Sequence, residues 1–242
     1  MVGGGVPHEG RPNHGRKAPG LSQTDLMPPK PTIKTRRVAV LIADGFELSV
    51  LSAVCTALKA EGATTWLIAP RRGPVFPTGA DRTAGTGGVM ADHHLEGQRS
   101  TAFDAIFVCP GAASILTLRE VRQIFFPHLF PPSLIATQNG RAVHWVREAF
   151  GHLKPIGALD DAVTFLKEAA ALPGVTLAID PQSSRVVTSY GVVTAWKSPV
   201  RVLQSLEIEP SESSFSSAFA HEISKHRCWQ REMDGLSNKL AY

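Results

Sequence analysis

Between Arg36 and Asp44 the chain reads RRVAVLIAD, an apolar run without polar residues at alternate positions. Such a run marks a strand covered on both faces, because a strand with one face in water alternates. From Glu47 to Ala60 the period changes: Leu48, Leu51, Val54, Cys55 and Leu58 recur at helical spacing, and Gly62 stands just past the end as a stop. TTWLIAP, Thr64–Pro70, is the next strand, so Arg36–Pro70 is predicted to form a right-handed βαβ crossover and a parallel sheet.

Pro74–Met90, with Gly79, Gly85, Gly87 and Gly88, reads as a flexible connection. FDAIFVCPG, Phe103–Gly111, is a third buried strand closing in a Pro-Gly turn, and helical spacing returns over Asn139–His152. KPIGALDDAV, Lys154–Val163, reads as a short strand turning sharply into a helix over Asp160–Leu172. Gly157 is placed at the apex, with Asp160 and Asp161 at the positive end of the helix dipole. GVTLAID (Gly174–Asp180) and SRVVTSYGVVTAW (Ser184–Trp196) are predicted to be edge strands, and Phe215–His226 a closing helix.

This alternation predicts an α/β fold, a doubly wound, mainly parallel sheet of flavodoxin type with helices on both faces. Ligands in such folds sit beyond the carboxyl ends of the strands, which points to Asp44–Glu47, Cys109–Ala112 and Gly157–Leu159. Residues 1–35 are too rich in glycine and proline to bury a core and read as a flexible linker, leaving 36–242 as the domain.

The net charge of +4 does not imply nucleic-acid binding. Met1–Arg37 carries seven basic and two acidic side chains, and the rest carries 18 basic and 19 acidic ones, so the basicity belongs to the tail. Cys55, Cys109 and Cys228 are an odd count without C-x-x-C spacing, which supports neither a disulfide framework nor a zinc site and fits a reducing, intracellular, cytoplasmic setting. No apolar run reaches membrane-spanning length, the first residues do not suit a secretory signal, and Leu-Ala-Tyr is not a peroxisomal address.

Glu47 has two readings: a carboxylate working in the crevice, or a helix N-terminal acid stabilised by the dipole, the preferred one. Cys109 is the cysteine near the strand ends, either a thiol nucleophile or, as preferred, part of the apolar core after Ile106-Phe107-Val108. His93 and His94 are adjacent and point to opposite faces of a strand, so no metal site is expected there. His221 and His226 are five apart, about 140° out of alignment on a helix, which excludes the zinc-protease pattern. Val186 and Asn238 stand four residues before Tyr190 and Tyr242, so the Arg-x-x-x-Tyr spacing of haem catalases is absent.

RRVAVLIADGFE, HHLEGQRSTAFDAIFVCPG, NGRAVHWVREAFGHLKPIGA, SYGVVT and HRCWQREMDGLSNKLAY resemble the C-terminal domain of large-subunit fungal haem catalases. NHGRKAPGLSQ, Asn13–Gln23, is similar to the segment joining the catalase core to that domain. The domain is itself similar in fold to class I glutamine amidotransferases and PfpI-type proteases, whose strand-to-helix elbow carries a cysteine. The resemblance implies a vestigial pocket: Glu47 at the acid position, Gly111 and Ala112 at the oxyanion turn, where hydrolases often have Pro-Gly-Gly, and Gly157 at the nucleophile position. Glycine has no nucleophilic atom, so no catalytic residue is expected.

Haem and peroxide dismutation are implied for the family's core, not for this segment. The expected function is therefore an accessory one: stability, assembly or a chaperone-like hold, with the catalase core or other catalase subunits as partners in a homo-oligomer. No cofactor, metal, nucleic acid or membrane is expected here. The alternative is a small cysteine-dependent hydrolase or glyoxalase-like enzyme using Cys109 and Glu47. Val121–Gln138, VRQIFFPHLFPPSLIATQ, departs from the family, which passes almost directly from TLRE to NGRAVHW. It reads as a binding lid or, preferably, a translated intron, which transcripts joining Glu120 to Asn139 would reveal.

Overall fold

The first apolar run forms β1, Arg37–Leu41, in which Val38, Ala39, Val40 and Leu41 are all fully buried. Burial on both sides follows from its place near the middle of a seven-stranded sheet. The computed structural model describes residues 32–81, 83, 85–119, 121–125, 134–138, 140–197 and 214–240. Within them β1 leads through α1 (Leu48–Ala60) to β2 (Thr64–Ala69), parallel to β1 with Val38 opposite Thr65.

The expected flexible connection contains a small antiparallel pair, β3 (Pro74–Val75) and β4 (Val89–Met90), and β5 (His93–His94) then adds to the edge of β2. The third apolar run gives β6 (Ala105–Val108), parallel to β1 on its other side. It is followed by α2 (Ala112–Arg119), a helix that the sequence pattern does not announce. The inward face of α2 carries Ser114, whose Oγ accepts the Ala43 N–H at 2.9 Å, so a polar residue interrupts what would be an apolar stripe.

Within Val121–Gln138, β7 (Val121–Phe125) and β8 (Leu134–Gln138) pair antiparallel in a sheet of their own; residues 126–133 lie outside the described residues. The chain continues with α3 (Arg141–Gly151), β9 (Ile156–Leu159), the short α4 (Ala162–Thr164) and a π-helical stretch, Phe165–Ala170. The helix predicted over Asp160–Leu172 is thus mostly π-helical, ending at Ala171 with φ 48° and its last carbonyl held by Arg147 Nε at 2.9 Å.

Two edge-strand expectations change. Gly174–Asp180 is not a strand: the Ala178 N–H is taken by Thr194 Oγ1 at 2.9 Å and the Thr176 N–H by Ser189 Oγ at 3.1 Å, so side chains replace a backbone ladder. Ser184–Trp196 folds into β10 (Val187–Ser189) and β11 (Val192–Ala195), and β11 is interior, between β10 and β9. Then come α5 (Phe215–Ser224) and α6 (Gln230–Met233).

Strand order is β10-β11-β9-β6-β1-β2-β5, parallel except for β10. Leu51, Val54 and Leu58 of α1 and Phe215, Phe219 and Ile223 of α5 cover one face, over Val38, Val40 and Phe107. Trp145, Val146 and Phe150 of α3 and Phe165 and Leu166 of the π-helical stretch cover the other, over Leu41, Ile106 and Ile156. This is the expected three-layer α/β fold, and Ile33, already fully buried, shows the chain joining it before Arg36. Among the described residues no helix is long and apolar enough to cross a membrane.

Candidate functional site

The carboxyl ends of β1, β6 and β9 converge, as parallel strands require, and place Glu47, Cys109 and Gly111 together. After β1 the chain turns through Gly45 (φ 88°), whose N–H donates to the Phe76 carbonyl at 2.7 Å. Asp44 Oδ1 accepts the Phe76 N–H at 2.9 Å, and Oδ2 lies 3.1 Å from Arg71 Nη2. Glu47 is the N-cap residue of α1, yet its carboxylate makes no cap bond; Oε1 accepts from Thr78 Oγ1 at 2.9 Å. Its N–H donates to the Pro110 carbonyl at 2.8 Å, tying the first turn to the β6 turn.

Cys109 is fully buried, with Sγ 3.8 Å from the Glu47 carbonyl oxygen. Burial pushes its thiol well above the usual value, and Cys55 and Asp161 push the same way. A nucleophile needs the thiolate, which these surroundings oppose.

Gly111 has φ 137°, and a Cβ there would lie 2.2 Å from the Gly45 carbonyl oxygen and 2.7 Å from Phe46 Cα. Only glycine lets the β6–α2 turn pass this close to the β1–α1 turn. Ala112, exposed, is the first residue of α2.

Gly157 is not at the elbow. It lies inside β9, opposite Phe107 and Val193, because the strand runs on to Leu159. A Cβ at Gly157 would meet Phe215 Cζ and Phe219 Cε2, each at 3.0 Å, so this glycine makes room for stacked aromatics of α5. The elbow residue is Asp160, with φ 50°. Its N–H donates to the Ala195 carbonyl at 2.9 Å and its Oδ1 accepts the Lys197 N–H at 2.7 Å. Aspartate tolerates the left-handed region because its side chain bonds nearby backbone, a signal present in the Asp-Asp pair after the apolar run.

Asp161, one residue on, completes the arrangement: its Oδ1 accepts the Gly111 N–H at 2.9 Å. A carboxylate therefore occupies the backbone donor at the β6–α2 turn. Desolvation raises the Asp161 pKa, with Asp160 and Glu47 adding repulsion against the bond to Gly111. A carboxyl with a native pKa above its unfolded one holds its proton longer when folded, so its ionisation lowers stability as pH rises from about 3.9 through the native value. Asp161→Asn keeps an acceptor for Gly111 and is expected to remove that decline. Denaturant melts of the two proteins from pH 3 to 7 check this, and parallel profiles would contradict it.

The remaining candidates are dispersed. His93 stacks on Trp66 at 5.4 Å, while His94 Nδ1 accepts the Gly97 N–H at 3.0 Å. Among the described residues no three His, Cys, Asp or Glu side chains are grouped to hold a metal ion. The residues at Tyr190 do not fit haem ligation: its hydroxyl donates to Asp234 Oδ2 at 2.7 Å, which pushes the phenol upward instead of favouring a tyrosinate. Tyr242 lies outside the described residues.

A family model described as the C-terminal domain found in long catalases matches residues 34–207. Catalase-1 of Neurospora crassa is 43% identical over 245 residues, covering 100% of this chain and 30% of that protein. Catalase A of Aspergillus fumigatus is 38% identical with the same coverage, 100% and 30%. The chain thus spans under a third of the length of these relatives. Among solved structures, Drosophila melanogaster DJ-1beta superposes with a TM-score of 0.55 at 14% identity, covering 86% of this chain and 100% of that one. A two-domain Anabaena variabilis protein with DJ-1/ThiJ/PfpI-like and ferritin-like domains gives 0.56 at 19% identity, covering 78% and 50%. At these identities the likeness is one of fold.

Proposed function

The chain belongs to the family of C-terminal domains found in long catalases, and from that premise we propose that it is an accessory domain without chemistry of its own. Its work is to stabilise the catalase core and the subunit assembly, with a chaperone-like hold on unfolded segments. The observation that carries this reading is the Asp161 carboxylate on the Gly111 N–H, beside an elbow residue, Asp160, whose own carboxylate is bonded to Lys197. Peroxide dismutation and haem belong to the core, and the partners are that core and further catalase subunits in a homo-oligomer. Free Cys55, Cys109 and Cys228 support an intracellular, cytoplasmic setting. Trp229 and Met233, 55% and 71% exposed and one helical turn apart, offer an apolar spot against which such a partner packs.

Exchange of this chain for the matching domain of a long catalase, followed by heat inactivation, tests the role. The rival reading, a hydrolase or glyoxalase using Cys109 and Glu47, is opposed by the buried, protonated thiol. Purified chain is expected to show no ester, peptide or glyoxal turnover above background, with Cys109→Ala unchanged. Turnover that disappears in Cys109→Ala would establish the rival.

A further inference from the structure

At the end of the sheet opposite the elbow, a cavity of about 90 Å³ opens between the approach to β6, the approach to β9 and the segment after α5. That is on the order of three water volumes. Its lining includes Thr101, Phe103, Asp104, Lys154, His226 and Arg227.

Lys154 is the inner wall. It is only 3% exposed, yet one N–H of its ammonium is satisfied, donating to the Ser100 carbonyl at 2.8 Å. The other two have no protein acceptor among the described residues. Arg227 holds the His152 carbonyl through Nη1, and its guanidinium has further donors to offer. His226, 49% exposed, stands with Nδ1 3.9 Å from Asp104 Oδ1. Arg36 reaches the same carboxylate oxygen at 3.4 Å.

The anionic side is already engaged. Asp104 Oδ2 accepts the Arg37 N–H at 2.8 Å, and the buried Glu148 accepts Ser100 Oγ at 2.5 Å. Lys154, Arg227, Arg36 and a protonated His226 therefore outnumber Asp104 and Glu148. The cations press on one another: burial first, then Arg227, lowers the Lys154 pKa to about 8. Burial, Arg36 and Arg227 lower that of His226, against a smaller opposing pull from Asp104, and Lys154 adds to the lowering. A buried cationic group with spare donors facing a small polar cavity is relieved by an anion that enters it.

We propose that this cavity binds a small tetrahedral dianion of sulfate or phosphate size, held by Lys154 Nζ, the Arg227 guanidinium and protonated His226. The dianion supplies acceptors for the spare N–H groups and offsets the mutual repulsion of the cations. His226 makes binding pH-dependent: protonation on the acidic side adds a donor and a charge, and a bound dianion raises the imidazole pKa in return.

Sulfate is the suitable probe, since it stays dianionic throughout. Calorimetric titration of the full chain with sodium sulfate, against sodium chloride at matched ionic strength, is expected to give saturable one-to-one binding. It should be tighter at about pH 5.5 than at about pH 8. In the imidazole NMR titration, sulfate should move the His226 midpoint upward. Arg227→Gln is expected to weaken binding on the order of tenfold and to reduce that movement. Lys154→Met, verified as folded by circular dichroism, should do the same from the inner wall. Absence of saturable binding at both pH values overturns the proposal. So does sulfate binding of equal affinity in both variants with the His226 midpoint unmoved.

Discussion

Gly111→Ala is expected to destabilise the domain by about 3–5 kcal/mol, combining a backbone conformation that L-residues avoid with an overpacked contact. The new Cβ would stand 2.2 Å from the Gly45 carbonyl oxygen and 2.7 Å from Phe46 Cα, both backbone atoms that no side-chain rotation can move. One of the two turns has to shift, and with it the Glu47 N–H bond to Pro110 and the Gly111 N–H bond to Asp161. Denaturant unfolding measures the effect as a lowered midpoint at unchanged slope. A loss below about 1 kcal/mol would mean that the turns are not locked together as described.

Arg231→Met carries the next largest expected loss, about 3 kcal/mol, equivalent to on the order of 6–12 °C in Tm for a domain of this size. Arg231 is fully buried in the segment after α5, and its guanidinium ties that segment to two distant pieces of chain. Nε donates to the Tyr190 carbonyl at 2.6 Å, and Nη1 to the carbonyls of Phe150 at 3.1 Å and Lys154 at 2.9 Å. It also lies 4.2 Å over the Phe150 ring. Burial lowers its pKa to about 10, a measure of the desolvation that methionine would relieve. The Tyr190 and Lys154 carbonyls left without a donor outweigh that relief, because each buried orphan costs about 1–3 kcal/mol; Phe150 keeps the Leu153 N–H at 3.0 Å. Arg231→Lys should recover only part of the loss, since one ammonium cannot reproduce the fork. A Tm for Arg231→Met within about 2 °C of the parent would contradict the three-carbonyl bracket.

These two positions also show what sequence could and could not convey. The runs Val38–Leu41 and Ala105–Val108 are apolar at every position because helices cover both faces, so β1, β6 and the parallel sheet were legible. α1 and α3 were legible from their apolar spacing. α2 was hidden by Ser114, a polar residue facing inward because it serves the Ala43 N–H. Glycine is the usual tenant of a strained turn, so the pattern points to Gly157, three residues ahead of Asp160, which fills that role through its bond to Lys197. Arg231 and Lys154 look like surface charges in sequence, because the carbonyls that hold them come from segments far away along the chain.

The candidate site has the same lesson at closer range. Glu47, Cys109 and Gly111 do converge, as the order of parallel strands dictates. What the pattern did not convey is that Asp161, read only as a helix-dipole acid, would fill the Gly111 donor. That contact is the observation on which the proposed accessory role rests.

Heat inactivation of two versions of Neurospora crassa catalase-1 tests the accessory role most directly. One version carries this chain in place of its own matching segment, and the other ends before that segment. With the chain attached, the half-life of peroxide-decomposing activity is expected to be several-fold longer, as for any partner that binds only the folded state. Equal half-lives in the two versions would contradict the role assigned to the domain.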